Sequence, residues 1–203
     1  MSSPTASTSK DEWRTQFRKH RRELQPEVYA AHSALICSRT LTLPAVAHAS
    51  VVHVYWPLTD QGEVDTRLLI AALQGQNVDV VLPVVTSYDP ASPTMEHRQY
   101  DGPSTLKTNR WGIREPVGTD QISPNAIDVV IVPALGAGRN GHRIGHGSGY
   151  YDAFLNTVTA PRVALVYDAC LAPTLPAAPH DVPVTSIVTE KEVLSISTSS
   201  PSA

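Results

Sequence analysis

Residues 128–155 read DVVIVPALGAGRNGHRIGHGSGYYDAFL, and the order of residue types in this stretch decides the fold. The apolar, β-branched run at its start predicts a strand buried on both faces. A glycine-rich loop follows, opening onto Tyr150, Tyr151, Asp152 and an apolar segment with helical spacing. Six of the chain's 11 glycines fall here, Gly136, Gly138, Gly141, Gly145, Gly147 and Gly149. Glycines at that density let backbone N–H groups turn inward around an anion, and Arg143 adds a fixed positive charge. The stretch therefore reads as strand, anion-binding loop, helix. Alternating glycines also occur in flexible surface loops, but the buried-type strand before them and the aromatic, aromatic, acid trio after them favour a site. The loop has neither the Gly-Lys-Ser/Thr ending of a P-loop nor a G-x-G-x-x-G, so neither nucleotide fingerprint applies.

Outward from this stretch, the chain repeats the same grammar. Residues 50–56 (SVVHVYW) predict a strand, 57–66 a loop, 67–73 a helix and 78–83 another strand. That is a βαβ unit, which implies a parallel sheet covered on both faces. Ligands of such sheets sit beyond the C-terminal strand ends, which is where Trp56, Glu63 and Asp65 fall. Asp65 and Thr66 are expected to cap the helix after them. Residues 10–24 are rich in helix formers and hold no Gly or Pro. On that helix Lys10, Arg14, Arg18 and Arg21 form one stripe beside an apolar stripe of Trp13, Phe17 and Leu24. A second helix is expected after Pro26, proline-broken loops with one strand between 84 and 102, a strand at 162–168, and a proline-rich turn with a short strand between 175 and 190.

Composition sets the class. At 203 residues, with 41% hydrophobic and 17% charged residues, the chain suits one soluble globular domain with a real core. Its net charge of −3 argues against a general nucleic-acid binder. No apolar run reaches membrane-spanning length, and the opening MSSPTASTS has no apolar signal core, which together with two widely spaced cysteines predicts a cytoplasmic protein with reduced thiols. The Ser/Thr-rich ends, 1–9 and 195–203, are expected to be disordered tails around a domain at 10–194.

Gly141 to Asp152 match G-x-R-[LI]-G-x-G-x-G-Y-Y-D, which resembles the signature of the 5-formyltetrahydrofolate cyclo-ligase family, also called 5,10-methenyltetrahydrofolate synthetase. Further blocks resemble the family in order: K-x-x-x-R at Lys10 and Arg14, E-V-D-T from Glu63, TNRWGIREP around Trp111, and the proline-rich segment holding His180 and Asp181. The resemblance runs from about Lys10 to Val193. It implies a single three-layer α/β/α domain with a mostly parallel central sheet. It also implies ATP- and Mg²⁺-dependent conversion of 5-formyltetrahydrofolate to 5,10-methenyltetrahydrofolate, with release of ADP and phosphate.

The same resemblance implies roles. Lys10, Arg14, Arg143 and the loop Gly145, His146, Gly147, Ser148 and Gly149, with Tyr150 and Tyr151, would hold ATP. Trp56, Glu63, Trp111, Tyr150 and Tyr151 would line the reduced-folate pocket, and Asp152 and Asp181 would hold Mg²⁺. Arg143 and Tyr151 are the residues expected in the chemistry itself, and Glu115 is expected to order the loop of Trp111. The partners are small molecules, with no nucleic acid or membrane, in a monomer or small homo-oligomer. The chain departs from the family at His146 and Ser148, where many members carry an aromatic or basic side chain and a lysine or glycine. Thr185 stands where the family has an aspartate. His142 and His146 have the spacing of a helical zinc pair, but the surrounding glycines predict a loop that would not hold it. A folate-binding homologue with little turnover, and more distantly a sugar-phosphate isomerase of similar architecture, are the competing readings.

Overall fold

The computed structural model describes residues 8–89 and 91–197. In chain order the elements are α1 (Lys10–Glu23), α2 (Pro26–Leu41), α3 (Pro44–Ala47), β1 (Val51–His53), α4 (Arg67–Gly75), β2 (Asp79–Ser87), β3 (Thr94–Gln99), β4 (Leu106–Thr108), β5 (Arg114–Pro116), β6 (Val129–Pro133), β7 (Gly136–Gly138), β8 (Arg143–Ile144), α5 (Tyr150–Leu155), β9 (Arg162–Leu165), β10 (Leu171–Ala172), β11 (Ser186–Val188) and β12 (Val193–Ser195). Seven strands form the main sheet in the order β12-β11-β9-β6-β1-β2-β3. Its five central strands are parallel, and the edge strands β12 and β3 run antiparallel.

Alternation along the central strands sorts their side chains into two cores. Val52, Val129, Ile131, Val163 and Leu165 face Phe17 of α1, Ile36 of α2 and Leu69 and Leu73 of α4. Val130, Val132, Ala164 and Ile187 face Phe154 and Leu155 of α5. The result is three layers, with α1, α2 and α4 on one face of the sheet and α5 on the other. Cys37 and Cys170 are buried and free.

The glycine-rich stretch is built differently from one long loop. Gly136 and Gly138 belong to β7, which pairs with β8 and β10 in a small second sheet. A Cβ at Gly136 would stand 2.3 Å from the Phe17 ring, and one at Gly138 would stand 2.3 Å from Asn140 Oδ1. Those two glycines permit close packing and do not approach an anion. Gly141, at φ +83°, makes the turn between β7 and β8, and only residues 145–149 remain as a loop before α5.

Other expectations shift as well. Ser9, placed in the tail, caps α1 through a reciprocal pair with Glu12, and Ser195 ends β12. The remaining tail residues, 1–7 and 198–203, lie outside the described residues. Arg21 is not a solvated cation: four residues after Phe17, it follows that side chain inward and donates to Ala134 O. Thr66 does not cap α4, because its hydroxyl donates to Tyr55 O at 2.7 Å, while Asp65 Oδ1 accepts the Arg67 N–H at 3.2 Å. Thr185 ties β9 to β11, its hydroxyl bonded to both N and O of Arg162.

Candidate active site

A cavity of about 530 Å³ lies beside β2, beyond the ends of β1 and β6. Its lining brings together residues from opposite ends of the chain: Lys10, Arg14, Trp56, Glu63, Trp111, Arg143, Gly145, His146, Gly147, Ser148, Gly149, Tyr150, Tyr151, Asp152 and Asp181. Asp65, also placed by sequence beyond β1, is turned away and pairs with Arg67.

One wall is made of charges already paired. α1 is amphipathic, so docking Phe17 against β7 aims the preceding turns, with Lys10 and Arg14, at the cavity. Lys10 forms an ion pair with Asp181. Burial pushes the Asp181 carboxyl up, but the Lys10 ammonium and the Ala178 N–H outweigh it and hold the group below its usual range. Arg14 pairs with Asp11 and donates from Nε to Gly145 O at 3.1 Å. Arg143, with a side chain only 6% exposed, donates to Asp152 Oδ1 at 2.9 Å. Burial pulls its pKa down and Asp152 works against that pull. Gly147 and Gly149, at φ +106° and +75°, give the loop a path that other residues rarely adopt.

The other wall is made of rings around two buried acids, Glu63 and Glu115. Trp56 lies 5.7 Å from Tyr100, centroid to centroid, with Arg114 Cζ 5.3 Å from the Trp56 ring. Trp111 is 42% exposed, which removes it from the core, and meets Tyr88 and Tyr150 edge-on at 4.6 and 5.7 Å. Its loop is held by Asn109, whose Oδ1 accepts the Trp111 and Ile113 N–H groups. Glu115 orders that loop in turn, accepting from Asn109 Nδ2 and from the Val85 N–H, both at 2.9 Å. Burial raises the Glu115 carboxyl. Glu63, itself buried, accepts the Leu58 N–H at 2.9 Å.

Tyr150 and Tyr151 begin α5, where consecutive positions point about 100° apart. Tyr150 OH donates to Ser87 O at 2.7 Å. Tyr151 OH is buried and has no hydrogen-bond partner among the described residues. Burial, with Glu63 adding, pushes that phenol up, so at neutral pH it is a donor. Beneath α5 lie His53 and His97, whose rings are 5.1 Å apart and pack on Phe154 at 5.0 and 4.0 Å.

Lining residues to which motif reading gave no role include Arg114, Met95 and His180. Arg114 and His180 sit in the same quoted blocks as Trp111 and Asp181, so block membership was an available signal. Met95 reaches the cavity from β3 by tertiary placement alone. Among the described residues, no group of three or more His, Cys, Asp or Glu is placed to hold a metal, and no helix is long and apolar enough to cross a membrane.

Comparison with known proteins agrees with the geometry. The model of the 5-formyltetrahydrofolate cyclo-ligase family matches residues 6–190. The 5-formyltetrahydrofolate cyclo-ligase of Escherichia coli K12 is 32% identical over 183 residues, covering 87% of this chain and 98% of that protein. The Mus musculus protein of the same name is 22% identical over 200 residues, covering 94% and 98%. The NMR structure of Aquifex aeolicus 5,10-methenyltetrahydrofolate synthetase superposes with a TM-score of 0.81 at 28% identity, covering 96% of this chain and 95% of that one. A 5,10-methenyltetrahydrofolate synthetase from Mycoplasma pneumoniae shares the fold, with a TM-score of 0.71 at 21% identity over 89% of this chain and 98% of that one. The chain belongs to the 5-formyltetrahydrofolate cyclo-ligase family.

Proposed function

We propose that this protein is an ATP-dependent 5-formyltetrahydrofolate cyclo-ligase that forms 5,10-methenyltetrahydrofolate, ADP and phosphate. The observation that carries this reading is that cations, acids and rings from five separated sequence blocks line one cavity. The formyl oxygen is an amide oxygen and a poor leaving group. Phosphorylation makes it one, after which nitrogen 10 closes the ring and phosphate departs. The protein's work is therefore to align two substrates and to neutralise charge on the migrating phosphoryl group.

Lys10, Arg14 and Arg143 supply the positive charge, and the backbone of 145–149 supplies N–H groups for the phosphates. Trp56, Trp111 and Tyr150 offer faces and edges to the folate rings, and Glu63 accepts hydrogen bonds from the pterin's N–H groups. Tyr151, a donor without a partner among the described residues, would bond to an oxygen of either substrate and sit with Arg143 at the reacting atoms. No covalent attachment to the protein is required.

Mg²⁺ fits the residues present. It commonly takes one or two protein carboxylates together with substrate phosphates, so a three-acid cage is not needed. Asp152 Oδ1 is occupied by Arg143 and the Val182 N–H, but Oδ2 accepts no hydrogen bond among the described residues. Asp152, with Asp181 across the wall, would hold the ion, which when bound offsets phosphate charge. A cytoplasmic setting suits the two buried free thiols.

The test is to incubate the protein with 5-formyltetrahydrofolate and Mg²⁺, with and without ATP, and follow methenyl absorbance in the near ultraviolet. ATP-dependent product is expected. Tight folate binding without turnover would instead make the protein a folate-binding homologue.

A further inference from the structure

The loop of residues 145–149 reaches the folate wall through one side chain. His146 Nε2 lies 3.2 Å from Glu63 Oε1. A carboxylate only accepts, so the imidazole N–H is the donor. The Glu63 side chain is 7% exposed, and among the described residues His146 is the one side chain bonded to it. With Oε2 held by the Leu58 N–H, the two contacts together fix the plane of the carboxylate.

On its other side the same loop is tied to the cation wall. Arg14 Nε donates to the carbonyl of Gly145, and the Arg14 guanidinium packs 3.6 Å from where a Cβ at Gly147 would stand. The loop's backbone thus turns to Arg14 while its imidazole turns to Glu63. Arg14, Gly145, His146 and Glu63 make a continuous bonded path between the two walls.

We propose that His146 is a positioning residue: its imidazole orients the Glu63 carboxylate and passes occupancy of the phosphate loop on to the folate pocket. This rests on the reading that Glu63 binds folate and the loop binds ATP. A phosphate drawn to Arg14 competes with the Gly145 carbonyl for its Nε–H. The loop then shifts, and His146 carries the shift to Glu63. By linkage the effect is reciprocal, so folate binding changes nucleotide affinity by the same factor.

The experiment is calorimetric titration of 5-formyltetrahydrofolate into the full chain, with and without a non-hydrolysable ATP analogue and Mg²⁺. It compares the parent protein with His146→Ala, His146→Gln, Glu63→Gln and the His146→Ala/Glu63→Gln double variant. In the parent, the analogue is expected to change folate Kd by about fivefold or more. His146→Ala should weaken folate binding about tenfold and bring the analogue's effect to about onefold. His146→Gln, whose amide can donate to the carboxylate, should recover part of both losses. In the Glu63→Gln background, His146→Ala should add little further loss. Parent-like folate affinity in His146→Ala, an undiminished analogue effect, or a full further loss in the Glu63→Gln background would each overturn the inference. A parent protein that binds no folate at all would overturn the functional reading beneath it.

Discussion

The two walls of the cavity solve the problem of buried polarity in opposite ways. On the phosphate wall each cation already has an anion, Lys10 with Asp181, Arg14 with Asp11 and Arg143 with Asp152. On the folate wall two buried acids sit among rings, Glu63 satisfied by a backbone N–H and one imidazole, and Glu115 by a backbone N–H and the Asn109 amide. Under the proposed function, the first arrangement would exchange partners on binding a triphosphate and a metal, because each guanidinium or ammonium would gain a new anion as it gave up the old one. The second is set before the ligand comes, apart from the Glu63 carboxylate that His146 would move. Mutations on the phosphate wall should therefore couple binding to stability wherever a pair is buried, whereas those on the exposed folate wall should separate them.

The largest effect is expected for Asp152→Asn. Arg143 is nearly excluded from solvent, and removing its anion leaves a buried charge with a weakened partner, at a cost of about 3 kcal/mol. Turnover should fall about 100-fold or more, since Asp152 would also lose its grip on Mg²⁺. Thermal denaturation without ligand, beside a Mg²⁺ titration of the residual activity, checks both halves. An unchanged melting temperature with lost turnover would confine Asp152 to the metal and break the contrast between paired and preset walls.

Next in size is a response to acid of the histidine pair beneath α5. Burial holds His97 down at about 4 and His53 well below the usual 6.5, with His97 adding to the effect on His53 and Glu96 opposing it on His97. The unfolded chain binds these protons and the folded one does not. Stability from this pair is therefore complete above about pH 6.5 and is lost as pH falls through about 4, by on the order of 2 kcal/mol. Denaturant midpoints at pH 7 and pH 4 should show the drop, and His97→Phe should make it shallower. Equal steepness in the variant would assign the acid sensitivity to other groups.

Arg14→Ala comes third. Its partner Asp11 is 90% exposed, so the pair adds little stability, and the melting temperature should barely move. The Michaelis constant for ATP should rise roughly tenfold with kcat less affected. Lys10→Ala should behave similarly for ATP but lose somewhat more stability, because Asp181 is the more buried anion. Equal losses of stability and ATP affinity in Arg14→Ala would make this stretch of α1 a packing face.

These residues also mark how far the sequence could be read. Residues 145–152 were legible because their chemistry is local: glycines that allow the turn, then two rings and an acid that open a helix. The parallel sheet was legible from β-branched runs alternating with helical ones. The pairing of Lys10 with Asp181 was not, since it joins residues 171 apart and depends on α1 docking over β7. Gly136 and Gly138 carried a composition that suits an anion loop, yet their missing Cβ atoms make room for Phe17 and Asn140. Arg21 looked like its neighbours in the cationic stripe until the core claimed it, and β12 was not expected as a strand, its last residue, Ser195, falling in the Ser-rich end that composition assigns to a tail. The site was visible as residue types, whereas the partners that hold those residues came from tertiary packing.

Trp111→Ala should have the smallest effect and separate the walls most cleanly. Trp111 stands on the turn between β4 and β5, with 42% of its surface exposed, its ring meeting Tyr88 and Tyr150 edge-on and Arg110 Cζ lying 5.4 Å from its centroid. The turn itself is held by the Trp111 main chain, through Asn109 and Glu115, so truncating the side chain leaves those bonds in place. Little stability should be lost, and the melting temperature should stay near that of the parent. Stacking on a folate ring contributes about 1 kcal/mol beyond simple burial, so the Michaelis constant for 5-formyltetrahydrofolate should rise about fivefold while that for ATP is unchanged. Trp111→Phe keeps a ring face and should recover most of the loss. The same pair of variants allows an optical check, because folate-induced quenching of tryptophan fluorescence should shrink in both even where Phe restores affinity. A fall in melting temperature matching the loss of folate affinity would mean that the ring holds the hairpin together. The folate wall would then be no more independent of the fold than the buried pairs across the cavity.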